Sequence, residues 1–271
     1  MKMIPTFGFL LALKRVLKRV LTKILIETIP WNFLRANAGS TILFKLRSST
    51  FLETWFTQPL NAQKRRLVTV IDLALKYKPQ IVVETGTFVG TTTPLFVPLA
   101  EEQIFTIEVN QEFLEQAREY FEGLGDFGSR IVPVLGDSMM ELVRIAREIP
   151  PKKRCLFYLD AHWATELPLW NELKAIMSRG GSFVIVIDDF KIEDDDSFGY
   201  DQYGQHSVSI DSIPNQLQGE LWFPDHSSIE ESGGKRGTAY FFSQEALLDV
   251  DPRKVSGIRK FSRFEGEPQS K

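Results

Sequence analysis

Ile81-Val82-Val83-Glu84-Thr85-Gly86-Thr87-Phe88-Val89-Gly90 is an apolar run that ends in a carboxylate and opens into a turn containing two glycines. Four more apolar runs end in carboxylates. They are Ile104-Phe105-Thr106-Ile107-Glu108, Ile131-Val132-Pro133-Val134-Leu135-Gly136-Asp137, Leu156-Phe157-Tyr158-Leu159-Asp160 and Val184-Ile185-Val186-Ile187-Asp188-Asp189. Continuous apolar runs of this length suit strands buried on both faces, as in a parallel sheet covered by helices. Ligands of such sheets bind in the crevice beyond the carboxyl ends of the strands. Carboxylates delivered together to one crevice are costly unless a ligand hydroxyl, an ammonium or a metal compensates them. The pattern points to a functional site.

Between the runs, helical spacing predicts helices over 62–77, 91–100, 111–122, 138–148 and 166–178, with Pro94 and Pro98 disturbing the second. Strands alternating with helices give an α/β, doubly wound, mostly parallel Rossmann-like sheet with helices on both faces. Glu193 to Gly204 reads as an acidic, aromatic loop, and a short helix over 210–218 is weakened by Pro214. Leu221-Trp222-Phe223 and Thr238-Ala239-Tyr240-Phe241-Phe242 read as a terminal antiparallel strand pair, with Gly233-Gly234 in the turn. The domain is expected over 62–245, after a connecting or lid segment at 31–61 and before a tail at 246–271.

At 271 residues, 43% hydrophobic and 25% charged, the chain suits one large soluble α/β domain with extensions. A net charge of −3, with no basic, aromatic-interleaved patch in the central region, gives no argument for a nucleic-acid partner. The single cysteine, Cys155, lies in an expected strand and rules out an internal disulfide, which fits a cytoplasmic protein. Residues 1–30 differ. Met3 to Leu13 is apolar but shorter than the roughly 20 residues that span a bilayer. Lys14, Arg15, Lys18, Arg19 and Lys23 then alternate with apolar residues as a basic amphipathic helix. Two readings follow for residues 3–25: peripheral contact with an anionic membrane, or packing on the domain or on a second copy in a homo-oligomer.

The turn Glu84-Thr85-Gly86-Thr87-Phe88-Val89-Gly90 lacks the Gly-x-Gly-x-x-Gly spacing of a dinucleotide fingerprint. Gly86 and Gly90 allow close approach of backbone to a ligand. Glu108, at the end of the second run, can accept hydrogen bonds from both hydroxyls of a ribose. Gly136-Asp137-Ser138 places short polar groups at the end of the third, where Asp and Ser also suit a helix N-cap.

On these residues the chain resembles the class I S-adenosylmethionine-dependent methyltransferases over roughly residues 62–243. The resemblance implies that Glu84, Gly86, Thr87, Gly90, Glu108, Asp137 and Ser138 line the site of S-adenosyl-L-methionine. Asp160, Asp188 and Asp189 would sit on neighbouring strand ends, a set that suits a hard divalent cation such as Mg²⁺. That arrangement is similar to the metal-dependent O-methyltransferases of the catechol and macrolide-sugar types. The resemblance further implies a base near Asp160, for which His162 is the candidate. The reaction expected is methyl transfer to a hydroxyl of a small molecule, a phenol or a sugar. Two rival readings are a nucleotide-sugar glycosyltransferase using a metal at Asp194-Asp195-Asp196, and a non-catalytic, membrane-peripheral protein on the same scaffold.

Overall fold

The apolar runs become strands and most of the intervening segments helices in the computed structural model, which describes residues 58–161 and 167–261. The N-terminal helix of 1–30, most of the 31–61 segment and His162 lie outside the described residues. Five strands carry the sheet: β1 (Ile81–Thr85), β2 (Gln103–Glu108), β3 (Ile131–Leu135), β4 (Cys155–Leu159) and β5 (Phe183–Asp188). The helices are α1 (Lys64–Tyr77), α2 (Thr93–Phe96), α3 (Gln111–Glu122), α4 (Ser138–Glu148) and α5 (Leu169–Arg179). After β5 come a small hairpin, β6 (Gln202–Tyr203) and β7 (His206–Ser207), and then β8 (Gly219–Pro224) and β9 (Thr238–Ser243). A short helix, α6 (Ala246–Asp249), and β10 (Ile258–Lys260) follow.

The eight-stranded sheet has the order β10-β8-β9-β5-β4-β1-β2-β3, with β3, β2, β1, β4 and β5 mutually parallel. β9 pairs antiparallel with both β5 and β8, closing the expected terminal pair. The strand order reverses between β1 and β4, the point beyond whose strand ends sheets of this kind bind their ligands. β3 is the edge, which is why Pro133, with no N–H to donate, is tolerated in it.

The pleat sorts side chains to two faces. Val82, Tyr158, Val184 and Val186 pack with α1, α2 and α3, whereas Val83, Phe157, Leu159, Ile185 and Ile187 pack with α4 and α5. Because Glu84 stands opposite Tyr158 and Tyr158 opposite Val186, the side chains of Glu84, Tyr158 and Asp188 all fall on the α1 face. Thr85 falls on the other. That alternation decides which strand-end groups meet.

Three expectations are corrected. The helix over 91–100 shrinks to Thr93–Phe96, and the one over 210–218 to a single turn at Ile210–Ser212. Proline accounts for both, since it removes a donor and crowds the preceding turn. Within the segment read as a tail, Ile258–Lys260 pairs with β8, so the sheet extends past residue 245.

Gly86 locks β1 to β4. Its φ is +82°, and a Cβ there would lie 2.3 Å from the Asp160 carbonyl oxygen. Gly86→Ala should therefore cost about 2–4 kcal/mol of stability in urea denaturation, from left-handed strain and overpacking together. An unchanged midpoint would show that the two turns do not pack so closely.

Candidate active site

Four features converge at the strand ends beside β1. The first is the β1–α2 turn. Glu84 is 1% exposed, and its Oε2 accepts hydrogen bonds from the hydroxyls of Thr93 (2.5 Å) and Thr106 (2.6 Å). The buried Thr87 hydroxyl shares a 2.6 Å hydrogen bond with that of Thr106. Glu84 and Thr87 were expected at a ligand. Their side chains instead point into the α1 face and brace the turn from beneath. Burial is the main force on Glu84 and pushes its carboxyl up to about 7, against the two threonine hydrogen bonds. Gly86 and Gly90 likewise answer to close approach within the protein: a Cβ at Gly90 (φ +77°) would meet the Phe121 ring at 2.7 Å.

The second feature is Glu108. Its Oε2 accepts from the Phe88 N–H at 2.7 Å and its Oε1 from the Asn110 N–H at 2.9 Å. The β2 carboxylate thus holds the β1 turn by its backbone, at a residue with φ +50°. Each oxygen keeps a lone pair for a further donor. The third feature is the start of α4. Asp137 is its N-cap and accepts from the Met139 N–H at 2.8 Å, and its second carboxylate oxygen accepts no hydrogen bond among the described residues. Ser138 follows it, buried. Exposed Val109, Leu135 and Met140 supply apolar surface along the same ends of β2, β3 and α4.

The fourth is the aspartate group at the ends of β4 and β5. Asp188 is fully buried, and both its oxygens are engaged twice. Oδ1 is ion-paired with Arg66 and accepts the Asp189 N–H at 2.7 Å. Oδ2 accepts the Tyr158 hydroxyl at 2.7 Å and the Asn61 amide at 3.4 Å. Asp189 accepts from Arg236 Nε at 2.6 Å, and Arg236 also pairs with Asp201. Arg66 itself is buried and donates to the carbonyls of Arg236 (2.6 Å) and Gly237 (3.3 Å). Asp160 has no hydrogen-bond partner for its carboxylate among the described residues. Burial first, then repulsion from Asp188 and Asp189, raises it well above the usual carboxylate range.

This group does not fit a divalent cation. Two guanidiniums already neutralise Asp188 and Asp189, and a cation would have to displace or repel them. Among the described residues no three His, Cys, Asp or Glu side chains are arranged to hold a metal ion. The expectation of Asp160, Asp188 and Asp189 as metal ligands is therefore corrected, and the reason is Arg66. Its signal was in the sequence. Arg66 occupies the same helical stripe as Val70, Leu73 and Tyr77, where a charge demands a buried partner. Arg236 and Tyr158 carried no comparable mark.

No family model and no curated protein matches this chain. Solved structures similar in fold include an O-methyltransferase from Bacillus cereus in complex with SAH, at 12% identity and TM-score 0.48, covering 77% of this chain and 91% of that one. Another is the O-methyltransferase TomG from Streptomyces achromogenes in complex with SAM, at 14% identity and TM-score 0.47, covering 66% and 78%. A third is a putative O-methyltransferase from Klebsiella pneumoniae, at 15% identity and TM-score 0.47, covering 78% and 94%. Likeness at these levels bears on neither activity nor substrate.

Two measurements test the electrostatics. Arg66→Leu leaves Asp188 buried without its counter-charge and should cost about 3–5 kcal/mol in urea denaturation at neutral pH. Adding Asp188→Asn should recover part of that loss, whereas strictly additive effects would show that the two are not coupled. Glu84 binds its proton more tightly in the folded chain (about 7) than at its ordinary 4.5. Its ionisation should therefore lower stability as pH rises from about 4.5 to about 7, with no effect below that window. Thermal melts of Glu84→Gln should show a flatter pH dependence than wild type; parallel curves would contradict this.

Proposed function

We propose that this chain is an S-adenosylmethionine-dependent methyltransferase that acts on a hydroxyl of a small molecule without help from a divalent cation. The observation that carries the reading is the clamp at the topological switch point. The turn after β1 is tied by the Phe88 N–H to Glu108, and Glu108 retains acceptor capacity on both oxygens. Its lone pairs match the paired hydroxyls of a ribose, and Val109, Leu135 and Met140 match the faces of an adenine. Asp160, whose carboxylate has no hydrogen-bond partner among the described residues and which lies beside the Gly86 turn, matches the cationic end of the cofactor.

When bound, S-adenosylmethionine supplies a methyl group carried on a sulfonium. The chain's own part is positional. Glu84, Thr93 and Thr106 fix the β1 turn from below, and Glu108 fixes it from the side. A rigid turn of this kind places two reactants in line, which can supply much of a displacement rate. On the acceptor side, Arg236 ties the loop residue Asp201 to the end of β5 through Asp189. Half-buried Tyr203 extends from that loop, and its hydroxyl donates to Asp201 at 3.4 Å. These groups offer an aromatic wall for a phenol or a sugar. His162, two residues beyond Asp160, is the proposed acceptor of the hydroxyl proton on its sequence position. The glycosyltransferase alternative loses its metal run. Asp194 is bound bidentately by Arg259 (2.5 and 2.6 Å), and Asp195 accepts from the Ser228 N–H (2.7 Å) and hydroxyl (2.9 Å).

Titration calorimetry with SAH tests this. Wild type should bind one equivalent in EDTA as well as in Mg²⁺, and Glu108→Ala should weaken binding about 10- to 100-fold. Equal affinity of the Glu108→Ala protein removes the ribose assignment, and binding or turnover that requires Mg²⁺ removes the metal-independent reading.

A further inference from the structure

Arg66 and Arg236 both serve the end of β5, but only Arg236 reaches solvent. Arg66 is buried, with its guanidinium held by Asp188 and by two carbonyls. The Arg236 side chain is 23% exposed. It stands two residues before β9, and the backbone around it is pinned. Its N–H donates to Gln63 Oε1 at 2.8 Å, and its carbonyl accepts from Gln63 Nε2 at 2.9 Å. On either side, the Lys235 carbonyl accepts the Gly199 N–H (2.9 Å) and the Gly237 N–H donates to the Gly199 carbonyl (2.8 Å). The guanidinium donates through Nε to Asp189 and through Nη2 to Asp201, whose own N–H bonds the Asp189 carbonyl at 3.0 Å. Nη1 donates to no group among the described residues.

Nη1 lies against Gly199, where a Cβ would come within 3.1 Å of it and 3.2 Å of the Arg236 Cδ. The missing side chain leaves that nitrogen room. Leu159 stands opposite Ile187, so Asp160 lies level with Asp188, and Asp189, the partner of Nε, comes next. A guanidinium with one nitrogen left over suits a single oxygen better than a carboxylate or phosphate, which engage two. Its charge is permanent, so it neither takes nor gives a proton and favours an oxygen that carries negative charge. A divalent cation would act on an acceptor hydroxyl in the same sense, but more strongly. The weaker pull suffices only for a hydroxyl that is already acidic. A phenol, at about 10, ionises far more readily than a sugar hydroxyl, which is closer to water at about 16.

We propose that Nη1 of Arg236 binds the acceptor oxygen, and that the acceptor is a phenol rather than a sugar. The inference rests on the methyltransferase reading and deepens it. In the transfer the phenol O–H bond breaks, and its proton leaves for the base proposed above. A lone pair of the oxygen then forms the new bond to the methyl carbon. The methyl–sulfur bond breaks with its electron pair left on sulfur, so the products are a methyl ether and a neutral thioether. Arg236 gains and loses no proton: it holds the oxygen while that oxygen is anionic. Tyr203, tied to the same Asp201, offers its ring to the ring of the phenol.

The test uses 4-nitrophenol, whose phenolate absorbs visible light and whose neutral form does not. It is titrated into the full chain saturated with SAH, at the pH where the free compound is half ionised. On wild type the bound compound should favour the phenolate about tenfold more than the free compound does. Arg236→Gln should abolish that preference; because Asp189 then loses its counter-charge, a thermal melt checks that the variant folds. Gly199→Ala keeps both ion pairs and needs no left-handed backbone, yet crowds Nη1, so it should also lose most of the preference. Wild-type ionisation on folded Arg236→Gln, or on Gly199→Ala where the glutamine variant does not fold, overturns the role of Arg236. A bound compound no more ionised than the free one, or none bound to the SAH-loaded chain, overturns the phenol assignment and leaves the methyltransferase reading standing. Failure of wild type to bind SAH overturns that reading, and this inference with it.

Discussion

The ion pair between Arg66 and Asp188 is the constraint on which the rest of the site depends. Both groups are buried, so neither can be solvated, and each is tolerable only because of the other. The pair joins the first turn of α1 to the end of β5. The N-terminus of α1 is held in turn by Glu231, which accepts the N–H groups of Arg65 and Arg66 at 3.1 Å each. From Asp188 the network runs to Tyr158 on β4, and from Arg66 through the Arg236 carbonyl to Asp189 and Asp201. The end of β5 is thus tied to α1, to β4 through Tyr158 and to the Asp201 loop, with Asp188 and Asp189 each paired to an arginine.

That pairing changes what the strand-end carboxylates mean. Six acids at one set of strand ends look like a cation site if they are counted. Sorted by pleat and partner, they take different tasks. Glu84 lies beneath the turn and Glu108 beside it, Asp137 caps α4, and Asp188 and Asp189 answer to arginines. Asp160 alone has no partner among the described residues. A lone unpaired carboxylate suits a singly charged organic cation better than a metal that needs several oxygens. The chemistry proposed for this chain follows from that sorting.

The fold was legible because long Val/Ile runs and their spacing are set by burial, which leaves its mark on every residue of a strand. All five parallel strands stand where the runs placed them, with ends within a residue or two. The losses came where a local rule overrode a pattern, as prolines did at 91–100 and 210–218. Glu108 and Asp137 were legible in position because a strand end leaves little choice of direction. The aspartate group was not, since its partner lies more than a hundred residues away on α1. Composition and spacing do not report such a pairing, although the charge of Arg66 within an apolar helical stripe was a mark that could have been followed.

The most direct measurement is diffraction from crystals of the full chain grown with SAH in the presence of EDTA. The account predicts the nucleoside over the turn from Gly86 to Gly90, with both ribose hydroxyls within hydrogen-bond distance of Glu108 and the Arg66–Asp188 pair intact. SAH bound elsewhere on the chain, or an Arg66 swung out to leave the three aspartates open to a cation, would contradict it.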